Sequence, residues 1–229
     1  MTASVVNQQS STATSGSTLV ATLPGSRVTG NLLLLVTGFY GDGATLAGLT
    51  SWTQQVIVPT GGVGHRMAAY TRPVDGSETS PTITGYVSGE SRTATVYQIA
   101  GHDGINAATQ IADGVATIST PRATPALTTT VADCLIISSM YIQMPNNNDT
   151  WAWSAGAALT DFKTAVANGW YSHQGSVSAV KAAAGAITPP TVTVTGTNVS
   201  LNYAATNIAI APGGAPPPDT KRFFFGMDQ

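Results

Sequence analysis

Three histidines, eleven carboxylates and one cysteine are the residues of this chain best suited to acid–base, metal or nucleophilic chemistry. His65 follows Gly61-Gly62-Val63-Gly64, His102 sits in Gly101-His102-Asp103-Gly104, and His173 in Tyr171-Ser172-His173-Gln174. No two of them form a His-x-His or His-x-x-x-His pair, the spacings that bring two imidazoles to one metal, so no zinc site is indicated. Gly85-Tyr86-Val87-Ser88-Gly89 lacks the Gly-x-Ser-x-Gly spacing of a nucleophile elbow. No phosphate-cradling loop or dinucleotide fingerprint occurs. Asp75-Gly76-Ser77-Glu78 reads as a turn with a polar flank, not as the paired acids of a glycosidase. Asn146-Asn147-Asn148-Asp149 carries oxygen ligands without the alternation of a calcium loop, and reads as a solvated loop. Cys134, in Cys134-Leu135-Ile136-Ile137, reads as a buried, inert thiol, and a single cysteine allows no intrachain disulfide. The expectation is no catalytic residue, no metal and no cofactor.

The aromatic residues offer two further sites. Trp151, Trp153 and Trp170, with Tyr171 nearby, have the chemistry of a platform for sugar rings. Trp151 and Trp153 stand two apart, so a strand would place both on one face, and core packing fits that spacing equally. The second site is the end of the sequence. Gly213-Gly214-Ala215-Pro216-Pro217-Pro218 reads as a stiff polyproline-like spacer carrying Lys221-Arg222-Phe223-Phe224-Phe225-Gly226-Met227. Burying each phenylalanine is worth roughly 2–3 kcal/mol. Arg222, Phe223, Phe224, Phe225 and Met227 are therefore expected to dock, on their own domain or on another chain.

The elements that must position these residues are strands. Asn31-Leu32-Leu33-Leu34-Leu35-Val36 predicts a strand buried on both faces, and Arg66-Met67-Ala68-Ala69-Tyr70 predicts another. Thr82-Ile83-Thr84, Thr93 to Ile99, Thr191 to Thr195 and Asn202 to Ile210 carry the period-two, β-branched pattern of further strands. Gly, Pro, Asn and Asp punctuate between them. Helix signals are nearly absent; the one candidate is Ala157–Ala167, where Leu159, Phe162 and Val166 stand near helical spacing while Thr160 and Thr164 are mediocre helix formers.

A long internal repeat is also present. Val28-Thr29-Gly30-Asn31-Leu32 is similar to Val131-Ala132-Asp133-Cys134-Leu135 at an offset of 103 (131 − 28). Pro81-Thr82-Ile83-Thr84 is similar to Pro190-Thr191-Val192-Thr193 at 109 (190 − 81), and the closing strands match near 112. A unit of this length does not suit a solenoid. It suits two halves interleaving their strands around a shared core, joined by a surface linker over Thr120-Pro121-Arg122-Ala123-Thr124-Pro125.

Charged residues make up 9% of the chain, against about 25% in an ordinary globular protein. Such a surface suits a protein that packs against many neighbours or works outside a cell. A net charge of −2 gives no basic field for nucleic acid and no polybasic attraction to a membrane. No apolar stretch reaches the ~20 residues of a membrane span. Met1-Thr2-Ala3-Ser4 has neither a basic start nor an apolar h-region, so no signal peptide is expected.

Several segments together resemble a domain of tailed-phage virion proteins. They are Gly30-Asn31-Leu32-Leu33-Leu34-Leu35, Leu49-Thr50-Ser51-Trp52-Thr53 and Ala69-Tyr70-Thr71-Arg72-Pro73-Val74-Asp75-Gly76-Ser77-Glu78. Ala94 to Gly101 and a second half ending Asn207-Ile208-Ala209-Ile210-Ala211 complete the set. The likeness covers residues 16–212. Asn31 stands where the pattern has an acid, and Arg72-Pro73 where it has a lysine. The resemblance implies an all-β, two-sheet jelly-roll (concanavalin-like) β-sandwich of two related halves, residues 16–120 and 121–212 within a domain of 1–212. Residues 213–229 lie outside the likeness and are expected to form an extended C-terminal tail. It further implies a non-enzymatic virion protein, made in the host cytoplasm and located on the particle. That protein would be an oligomeric capsid decoration or appendage subunit, anchored by its terminal segment to other virion proteins. The alternative is a carbohydrate-binding module of a tail or fibre that adsorbs to host-surface glycan.

Overall fold

Five successive apolar side chains, Leu32 to Val36, point alternately to opposite sides of a strand, so both sides must be covered. In the computed structural model all five are 5% exposed or less. The structure describes residues 1–41, 46–56, 64–117, 121–144, 150–153, 158–167, 170–195 and 200–214, and none of these residues is helical.

The first strands are β1 (Ser4–Ala13), β2 (Thr18–Val20), β3 (Leu32–Gly41), β4 (Thr53–Val56), β5 (Gly64–Pro73), β6 (Thr82–Thr84) and β7 (Arg92–Ala100). Then come β8 (His102–Thr117), β9 (Arg122–Ala123), β10 (Thr128–Thr129), β11 (Cys134–Met144) and β12 (Thr150–Trp153). The last are β13 (Ala158–Ala167), β14 (Trp170–Lys181), β15 (Gly185–Ala186), β16 (Thr191–Thr195) and β17 (Ser200–Pro212). One main sheet has the order β1-β7-β3-β5-β4, the other β13-β14-β11-β17-β8. Three small sheets, β2-β6, β12-β16-β9 and β10-β15, accompany them.

Four layers result. Leu32, Leu34, Val36, Met67 and Tyr97 of the first sheet meet Leu135, Ile137, Tyr141 and Ile208 of the second in one buried cluster. The opposite side of the first sheet, with Leu33, Leu35 and Tyr70, is covered by Leu19, Ile83, Leu49 and Trp52. The opposite side of the second sheet is covered by Val192 and Val194 over Met140 and Ile142, and by Leu127 and Ile187 beside Ile136. The all-β sandwich is thus as expected, and its two main sheets are buried on both faces. Continuous apolar strands follow from that burial.

The repeat is written into the hydrogen-bond register. Leu32 pairs with Ile99, and Leu135 with Ile210, at offsets of 103 (135 − 32) and 111 (210 − 99). Leu35 pairs with Tyr70, and Ser138 with Val177, which adds an offset of 107 (177 − 70). Val20 pairs with Thr82, and Ala123 with Thr191, at 103 and 109. The bulge between Gln54 and Val56 recurs between Leu159 and Asp161. Gly30 (φ 88°) recurs as Asp133 (φ 56°), so the second half holds a left-handed turn without glycine.

Three expectations are corrected. Residues 158–167, within the one helix candidate, form strand β13, paired along its length with β14. Thr160, Thr164 and Val166 favour a strand, and the waiting edge of β14 overrides the apolar spacing. The boundary between the halves lies at Gly101 and not near residue 120: residues 1–100 supply one main sheet and residues 102–212 the other, so that with this boundary the halves do not interleave and the chain crosses between the main sheets once. Hence β8 belongs to the second sheet, where it takes the place that β1 holds in the first. The segment around Arg122 is not a surface linker. Arg122 and Thr124 are each 1% exposed, β9 pairs with β16, and Asn207 Nδ2 donates to Thr124 Oγ1 at 2.9 Å and to the Pro125 carbonyl.

Candidate functional site

The histidines are separated by the fold. His65 lies on β5, buried, with its ring 5.3 Å from Tyr40 and 5.9 Å from Tyr141. His173 is buried on β14. His102 stands at the crossover, where Nδ1 accepts the Gly104 N–H at 3.1 Å and Nε2 donates to the Gly30 carbonyl at 3.2 Å. Among the described residues no three His, Cys, Asp or Glu side chains converge as metal ligands would. Cys134 is buried, and desolvation raises its thiol pKa.

What the fold does gather is a set of neutral polar groups between the main sheets. Thr93 Oγ1 donates to Gln174 Oε1 at 2.6 Å, and Gln174 Nε2 donates to the Val36 carbonyl at 3.4 Å. Tyr141 OH donates to the Ser91 carbonyl at 3.1 Å and lies 2.9 Å from Ser172 Oγ, which also touches Ser91 Oγ. Ser91, Thr93, Tyr141, Ser172 and Gln174 are all 1% exposed or less. Burial holds the Tyr141 hydroxyl protonated far above its ordinary range. By joining Ser91, Thr93 and Val36 to Tyr141, Ser172 and Gln174, this cluster fastens one sheet to the other. Each such bond is worth about 1 kcal/mol net. These residues were not singled out from sequence, because serines and threonines fill the whole chain.

The charged residues act as braces. Arg92, 1% exposed, donates to the carbonyls of Thr18 at 3.1 Å, Glu90 at 2.9 Å and Val87 at 3.5 Å, and to Ser15 O. Its guanidinium also lies 5.2 Å from the centre of the Tyr86 ring. Glu78 accepts the Gly76 N–H at 2.9 Å and the Asp75 N–H, and meets Arg27 Nε at 3.4 Å. In the same turn Gly76 takes φ 89°, and Asp75 Oδ1 accepts the N–H and Oγ–H of Ser77. The Asp75-Gly76-Ser77-Glu78 segment is therefore a hydrogen-bonded turn, as its residue types suggest.

Those Ser77 bonds, with smaller help from Glu78 and Arg72, lower the Asp75 carboxyl from 3.8 to about 2. A depressed folded-state pKa means that Asp75 supports the turn fully above pH ~4 and loses that support as pH falls toward 2. Carboxyl titration of the folded protein by NMR should give an Asp75 midpoint near 2. A midpoint at the ordinary value would contradict the turn's geometry.

An open groove of about 570 Å³ lies between β1 and β14, with walls from Ser4, Val5, Gln8, Ser178 and Val180 and with Leu135 among its lining residues. Its described lining carries the hydroxyls of Ser4 and Ser178 and the amide of Gln8.

Of the expected glycan platform, Trp153 packs beside Met140, Ile142, Val192 and Val194, half-buried, with its indole N–H enclosed and unbonded. Trp151 pairs in register with Val194, and Trp170 with Ala167. The side chains of Trp151 and Trp170 lie outside the described residues. So do Asn146 to Asp149 and the whole anchoring segment, Arg222, Phe223, Phe224, Phe225 and Met227. The point from which that segment departs is described. Gly213 N–H donates to the Gly101 carbonyl at 2.6 Å, and the Met1 amine donates to the Gly213 carbonyl at 2.9 Å.

No known protein family, curated protein or solved structure matches this chain.

Proposed function

We propose that this chain is a structural protein of a bacteriophage particle, an oligomeric capsid decoration or appendage subunit anchored through its terminal segment. The observation that carries the structural role is the use made of the chemistry-bearing side chains. Arg92, Glu78, Gln174 and Tyr141 spend their polar atoms on backbone carbonyls, backbone amides and neighbouring side chains. A stack of four β layers braced in this way is a stiff scaffold, with few charges to repel close neighbours. The particle setting rests on the resemblance of residues 16–212 to tailed-phage virion domains. The anchoring role rests on three adjacent phenylalanines behind a proline-rich spacer.

Deletion of residues 215–229 tests the anchor while leaving Gly213, whose backbone closes on Gly101 and Met1. The melting temperature should stay within ~2 °C of the full chain. Incorporation into particles, measured by mass spectrometry of purified virions, should fall at least about tenfold, the effect of losing only ~1.4 kcal/mol of docking energy. Undiminished incorporation would remove the anchoring role.

A further inference from the structure

Several of the contacts between the main sheets are reciprocal, although those of β5 with β8 and β11 and of β7 with β13 have no equally close counterpart. β1 lies on β13 as β8 lies on β4, β7 lies on β14 as β17 lies on β5, and β3 lies on β11. Because β1, β3, β4, β5 and β7 correspond in order to β8, β11, β13, β14 and β17, this is the contact pattern of a twofold axis running between β3 and β11. It is the pattern of an isologous dimer, here within one chain. On such an axis a residue meets its own counterpart. At the offset of 103 that relates Leu32 to Leu135, the counterpart of Gly38 is Tyr141. These two residues touch. A Cβ added to Gly38 would lie 2.5 Å from Tyr141 Cδ2 and 2.7 Å from Tyr141 Cβ.

We infer that Gly38 and Tyr141 form a hole and a knob on this axis and make each half's buried face specific for the other half. Two faces of the Gly38 type would leave a ring-sized void at the axis. Two faces of the Tyr141 type would place two rings in one space. Only the mixed pair fills the interface once, so neither sheet is a good partner for a copy of itself. The polar surroundings follow the same relation. Tyr141 OH meets Ser172, which pairs with Gln143; the equivalent pair in the first half is Tyr40 with His65. A tyrosine at position 38 would therefore find the His65 imidazole where Tyr141 finds a hydroxyl.

The test exchanges knob and hole in the full chain. Tyr141→Gly should lower the melting temperature by ~10 °C through its cavity, and Gly38→Tyr by at least as much through overpacking. The double variant should melt at least ~5 °C above the less stable single, or fold where that single does not. A double variant no more stable than the worse single overturns the inference. A second pair covers singles that do not fold. Gly38→Ala should lower the melting temperature in the native chain and lower it by clearly less in a Tyr141→Ala background, where the two ring contacts are gone and only the Cβ contact at 2.7 Å remains. An equal effect in both backgrounds also overturns it.

Discussion

Gly48→Ala should destabilise the protein by about 4 kcal/mol, lowering its melting temperature by roughly 8–16 °C. A Cβ at Gly48 would stand 2.0 Å from the Thr82 carbonyl oxygen, and the backbone there has φ +83°. Neither partner can yield. Thr82 pairs with Val20 in β6, and Ala47 and Thr84 exchange backbone hydrogen bonds at 3.1 Å in each direction. Relief of the clash means lifting β6 from β2, and with it Ile83 and Leu19 from the outer core. Thermal unfolding followed by circular dichroism measures the loss. A change below 1 kcal/mol would show that the β2-β6 layer is not seated as described.

The second large effect belongs to Arg92. Arg92→Leu should cost about 2–3 kcal/mol, because four carbonyls turned toward one guanidinium would lose their donor in a part-buried place. Arg92→Lys should recover less than half of that. An ammonium offers three donors from one point and cannot span carbonyls that lie around a planar fork. The contact with the Tyr86 ring would weaken in either variant. Denaturant unfolding of the two variants provides the comparison. Full rescue by lysine would show that charge, rather than fork geometry, holds these loops.

Much of this fold could be read directly. The run Leu32 to Val36 required two covered faces and has them, and the repeat offsets seen in sequence return in the pairing of β3 with β7 and of β11 with β17. Local pattern was sufficient where burial follows the chain's own alternation. It was insufficient where a distant partner decides. The segment 158–167 has helical spacing of apolar residues, but the edge of β14 draws it into a strand. Arg122 is charged and flanked by prolines, yet pairing with β16 and packing of the outer layer bury it. Interleaved and sorted halves have the same strands and the same repeat, and they differ only in where the chain crosses. That crossing depends on Gly101, which has φ +66° and where an added Cβ would lie 2.6 Å from the Thr2 carbonyl oxygen. The fastening cluster was hidden for another reason. Thr93 and Gln174 gain meaning only when the two sheets bring them together across 81 residues.

The sorting of strands by half is the claim on which the rest depends, and backbone NOEs test it most directly. Hα–Hα and amide contacts should connect His102–Thr117 to Ser200–Pro212 and Ser4–Ala13 to Arg92–Ala100, each within its own sheet. The crossover should appear as a single break in pairing at Gly101. Ladder contacts joining β8 to β1, β4 or any other strand of the first sheet would contradict the account.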